Sequence, residues 1–131
     1  MNPDELKDRT KQFALSIIEL VSSIPRRPEA DVIRHQSIRS GTSVGANYRA
    51  ACRARSRAEF ISKIGIVEEE ADETAYWLEL LNESGLAKPA RAAELLEEAR
   101  ELVAIFSASR RTAKSQSTAP VNRKSAIGNR Q

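Results

Sequence analysis

The chain is poor in the residues that most chemistry requires. Its 131 residues include one cysteine, one histidine, one tryptophan and five glycines, and aromatic residues make up 5%. Cys52, the single cysteine, has no intramolecular partner, so no disulfide staples the fold, as expected of a protein in a reducing cytoplasm. It sits among alanines and is read as a small packed residue. One histidine excludes the paired Glu-x-x-His ligands of di-metal carboxylate bundles, and His35 does not follow a glutamate by three residues. The acid run Glu68, Glu69, Glu70, Asp72 and Glu73 is therefore read as a solvated or inter-subunit face. Nor does His35 have an arginine five to seven residues upstream, the spacing of a helical nuclease motif, because residues 28 to 30 are Pro, Glu and Ala. Phosphate-binding loops, dinucleotide fingerprints and zinc spacings are missing. No apolar run approaches the roughly 20 residues needed to cross a bilayer, and the opening MNPDELKDRT is too polar for a secretion signal. These absences predict a cytoplasmic protein with no membrane partner, no metal, no cofactor and no catalytic residue.

What the chain does have is helical patterning. Phe60, Ile64, Val67, Ala71, Thr74, Leu78 and Leu81 alternate spacings of four and three, the seam of a long helix packed on other helices. Ser56 and Glu59 form a capping-box pattern at its start, and Gly85 supplies its stop. Upstream, Asn2-Pro3 opens a first helix whose face Leu6, Phe13, Ile17, Leu20, Val21 and Ile24 ends at Pro25. Pro28 opens a second, running to about Ala54. Pro89 opens a fourth, with a core stripe of Ala92, Leu95, Leu96, Ala99, Leu102, Val103 and Phe106. Neither strand-like alternation nor an internal repeat occurs. The predicted fold is all-α, an antiparallel up-down-up-down four-helix bundle over residues 1–109, with a disordered basic tail over 110–131.

The second helix is unusual. One side reads Ile33, Gln36, Ser40, Ser43, Val44, Asn47, Ala51 and Ala54, and the neighbouring stripe reads Ser37, Gly41, Gly45, Tyr48 and Cys52. So little bulk over so wide an arc lets more than one neighbour approach closely. Each interior glycine costs about 1 kcal/mol relative to alanine, which close packing must offset. Two compatible readings follow: tight packing within the chain, and an interface with another subunit through Ser37, Gly41, Gly45, Asn47 and Tyr48. Ser40, Ser43 and Asn47 need polar partners, for which Thr74 or a carboxylate of the third helix is the expectation.

Charge is unevenly spread. Residues 26 to 57 hold eight arginines against Glu29 and Asp31, whereas residues 68 to 101 hold eleven acids against Lys88, Arg91 and Arg100. Residues 110 to 131 add six bases and no acid, so the net +3 of the chain becomes −3 for residues 1–109. The group Arg39, Arg49, Arg53 and Arg57 points to a phosphate backbone, RNA or DNA, or to an acidic protein or sister subunit.

Three segments carry a family resemblance: Phe13-Ala14-Leu15 leading to Ile24-Pro25; His35 through Asn47, with its Arg39-Ser40 and Ser43-Val44-Gly45-Ala46-Asn47; and Ser56 through Ile61 continuing to Glu73-Thr74-Ala75-Tyr76-Trp77-Leu78. Over roughly residues 5 to 107 the chain resembles the four helix bundle protein family, also called the ribosomal RNA intervening-sequence protein family. The resemblance implies a small bacterial cytoplasmic non-enzyme that assembles as a ring-shaped homopentamer. It also implies kinship with the accessory proteins of diversity-generating retroelements, which present a basic surface to nucleic acid. On this chain the matching positions are Arg39, Ser40, Ser43, Gly45, Asn47, Glu70, Glu73, Tyr76, Trp77 and Leu78, mostly packing or assembly residues, with Trp77 added to the expected interface. Gly41 stands where the family more often has alanine, and the basic tail has no counterpart.

Overall fold

Asn2 starts the first helix by a reciprocal exchange. Its side chain accepts from the Glu5 backbone N–H at 2.8 Å, while the Glu5 carboxylate accepts from the Asn2 N–H at 2.9 Å. Ser56 caps the third helix by accepting from the Glu59 N–H at 3.0 Å. Here the sequence pattern is only half realised, because Glu59 reaches past Ser56 to accept from the Arg55 N–H at 2.7 Å. Gly85 closes that helix with φ 76°, the left-handed geometry that favours glycine. In the computed structural model, which describes residues 1–118, four helices result: α1 (Pro3–Ser22), α2 (Pro28–Cys52), α3 (Arg57–Ser84) and α4 (Pro89–Thr118).

Cross-helix contacts fix the directions. Positions 41 and 45 of α2 meet Ile17 and Thr10 of α1, Glu79 and Glu68 of α3 meet Arg100 and Arg110 of α4, and the short connection 53–56 folds α3 back along α2, so each successive helix runs against the last. Arg9 forks onto Glu98 and Glu101 at 2.7 Å each, tying α1 to α4. The middle pair, α2 and α3, packs against both neighbours, whereas α1 and α4 touch each other little. The helical faces read from the sequence form one core, with Phe13, Ile17, Val44, Ile64, Val67, Leu78, Leu81, Leu102 and Phe106 almost wholly buried. Among the described residues no helix is long and apolar enough to cross a membrane.

One boundary is corrected. The expected tail begins at residue 110, but α4 continues to Thr118. Ala113 is buried two turns beyond Phe106, and the Arg110 Nε donates to Glu68 at 2.8 Å. Alanine, arginine, lysine and glutamine are good helix formers, so this extension is held without the bulky apolar residues that marked the earlier turns. The remainder of the expected tail, 119–131, lies outside the described residues.

Candidate nucleic-acid interface

The small-residue stripe of α2 is the seat of α1. A Cβ on Gly41 would lie 3.0 Å from Ile17 Cγ1, and one on Gly45 would lie 3.1 Å from Thr10 Oγ1. Of the expected interface residues, Ser37, Gly41 and Tyr48 are buried inside their own chain. Close helix packing thus takes up these three and, against Thr10, Gly45 as well, leaving Asn47 and Trp77, both half-buried, as the part that a second copy can reach. Tyr48 stacks at a tilt on Phe106 with ring centroids 5.3 Å apart, and burial pushes its phenol pKa up.

The polar groups of α2 also resolve differently from expectation. Ser40 and Ser43 donate to the carbonyls of Gln36 and Arg39, at 2.8 and 2.6 Å, and Asn47 donates to the Ser43 carbonyl at 2.9 Å. Thr74 likewise donates to Glu70 O at 2.7 Å. Each hydroxyl or amide folds back one turn on its own helix, so no cross-helix polar network forms among these residues. The Ser37 hydroxyl is buried with no hydrogen-bond partner among the described residues.

The four arginines do not form one patch. Arg39 pairs with Glu73 and, at 3.3 Å, with Glu70, both on α3. The same Glu73 carboxylate accepts from Trp77 Nε1 at 3.1 Å. The Arg39 and Trp77 hydrogen bonds hold the Glu73 carboxyl below its ordinary pKa. Tyr76 meets Trp77 edge-on beside this cluster. The family motif residues therefore form an α2–α3 clasp, and Arg39 is engaged within the chain. Arg57 turns toward α4, where it donates to Gln116 at 3.4 Å and lines a cavity of about 340 Å³ with Tyr48 and Cys52. Arg49 and Arg53 remain exposed at the end of α2.

Across from Arg49 stand two cations that an arginine-centred reading of α2 overlooks. Lys7 and Lys11 of α1 face Arg49 over a notch of about 330 Å³ that Ala14, Thr42, Gly45 and Ala46 also line. The available signal was the four-residue spacing of the lysines, which puts both on one side of α1. Among the described residues, no cluster of histidine, cysteine and carboxylates is arranged to hold a metal ion.

Fold and surface define a class, an antiparallel helical bundle with a cationic notch between α1 and α2 and an acidic α3. The chain belongs to the 23S rRNA-intervening sequence protein family, whose sequence model matches residues 5–108. Among solved structures it is similar to a protein of unknown function from the S23 ribosomal protein family of Bacteroides thetaiotaomicron VPI-5482. That likeness has a TM-score of 0.77 at 34% identity, over 85% of this chain and 99% of the other. No curated protein matches the chain.

Proposed function

We propose that this protein is a non-enzymatic, cytoplasmic, homo-oligomeric bundle, a homopentamer, that binds RNA, DNA or a ribonucleoprotein through the exposed end of α2 and the neighbouring part of α1. The observation that carries the reading is the contrast between paired and unpaired cations. Arg9, Arg34, Arg39, Arg91, Arg100 and Arg110 all meet carboxylates, while Arg49 and Arg53 meet none among the described residues. Exposed arginines without intramolecular partners are free to neutralise phosphates. Family membership supports a role near ribosomal RNA genes.

Self-association draws support from exposed apolar side chains on two opposed sides, Leu15 and Ile18 on α1 and Ile66 and Tyr76 on α3. The same residues favour a second reading, an adaptor that binds only proteins. Arg49→Glu combined with Arg53→Glu separates the two. On the first reading the double variant keeps the wild-type oligomer mass and loses RNA binding, with a flatter salt dependence. An adaptor would show no salt-dependent RNA binding in either form.

A further inference from the structure

The notch between α1 and α2 is lined by charge of one sign. Three cations, Lys7, Lys11 and Arg49, line it, and no carboxylate does. Two other cavities mix the signs: Arg110 lies with Glu68, Glu69 and Asp72 in one, and Lys88 and Arg91 lie with Glu19 in the other. Among the described residues, none of the three notch cations has a carboxylate within ion-pair distance, although Asp4 and Asp8 lie on the same helix as the lysines. Holding like charges together without a counter-ion is unfavourable, and a bound anion relieves it.

We infer that this notch is a phosphate-binding subsite that grips the sugar-phosphate backbone of a nucleic acid, with Lys7 and Lys11 supplied by α1 and Arg49 by α2. The inference rests on the nucleic-acid reading above and places its first contact. Its floor is Gly45, Ala14 and Ala46, so no bulky side chain holds a ligand backbone away from the cations. The hydroxyls that border it are committed elsewhere. Thr10 donates to Leu6 O at 2.8 Å and Thr42 to Ile38 O at 2.7 Å. A phosphodiester brings only acceptors, so recognition falls to the three cations. Such recognition suits a polymer of uniform negative charge better than a peptide with irregularly spaced carboxylates. Residues 7 to 14 of α1 extend about 10 Å along the helix axis, room for about three phosphates of one strand at about 3.4 Å of duplex axis each.

The test uses the full chain, a 20-nucleotide single-stranded RNA and a 20-base-pair DNA duplex, with affinity measured from 50 to 300 mM salt. Lys7→Gln combined with Lys11→Gln leaves Arg49 and Arg53 in place. It is expected to weaken binding to both polymers on the order of tenfold and to reduce the salt slope by about 1 to 2. Ala46→Glu, which plants a carboxylate on the exposed floor, is expected to produce a similar loss. Lys88→Gln, on the loop before α4, should change nothing. If wild-type protein binds and the lysine variant keeps its affinity and slope, the notch assignment is overturned, while the reading built on Arg53 stands. A lowered oligomer mass for Ala46→Glu with unchanged nucleic-acid affinity overturns it too, by making the notch a contact between copies. Wild-type protein that binds neither polymer at 50 mM salt overturns both.

Discussion

Gly41 and Gly65 are both glycines in helix interiors, yet they should respond to alanine in opposite directions. Either substitution gains about 1 kcal/mol of helix propensity. At Gly41 the new methyl lies 3.0 and 3.2 Å from the two γ-carbons of Ile17, which is fully buried and stiff at χ1. Overpacking of that kind costs about 1–3 kcal/mol, so Gly41→Ala should lose about 1 kcal/mol net in urea denaturation. At Gly65 the nearest atom is Arg110 Cδ at 3.8 Å, an ordinary contact, and Gly65→Ala should gain about 0.5–1 kcal/mol. A stabilised Gly41→Ala variant would mean that α1 does not sit on α2 as closely as described. Glu73 gives a pH prediction at the same scale. Its folded pKa lies below its unfolded value, so its pairing stabilises the fold at neutral pH and is lost as pH falls through the folded pKa. Compared with Glu73→Gln, the wild type should be more stable at pH 7 by less than about 1 kcal/mol, because the pair is partly exposed. That advantage should begin to shrink as pH falls through the unfolded carboxyl value of about 4.3 and be lost only below the lower, folded pKa. An advantage independent of pH would show that the carboxylate charge is not what Arg39 and Trp77 recognise.

At the scale of elements, α4 provides the sharpest test. Ending the chain after Ser109 removes buried Ala113 and the Arg110–Glu68 pair, whereas ending it after Thr118 keeps both. The shorter truncation product should melt several degrees below the longer one, since about 1 kcal/mol shifts a domain of this size by a few degrees. Equal melting temperatures would mean that residues 110–118 add nothing to the bundle. The other boundaries were legible because strong punctuation sits beside strong periodicity: Asn2-Pro3, Pro25, Pro28, Ser56, Gly85 and Pro89 bracket faces that all become core. The α4 extension was not legible, because alanine, serine and basic residues carry weak apolar signal even when helical. Polar partners on α2 were misjudged for a related reason. A serine in a helix always has its own i−4 carbonyl within reach, and periodicity cannot say whether a neighbour competes for it. Arg39 looked like its companions on a helical projection, but only the packing of α3 brings Glu70 and Glu73 beneath it. The same packing argument hides Lys7 and Lys11 until α1 is laid along α2.

At the scale of the whole molecule, the described bundle is a polar object in the electrostatic sense, with unpaired bases at the α1–α2 end and surplus acids on α3. A heterologous contact that joins such unlike faces closes into a ring when the rotation between copies allows it. The central claim is that these chains associate and that the association leaves a cationic surface for nucleic acid. Light-scattering mass across a salt series, with and without RNA, tests both halves at once for the wild type and the Arg49→Glu/Arg53→Glu variant. The account predicts a mass near five times the 14.5 kDa chain for both proteins, and an added RNA mass for the wild type alone that falls away as salt rises. A single-chain mass at every salt concentration, or RNA bound equally by the double variant, would contradict it.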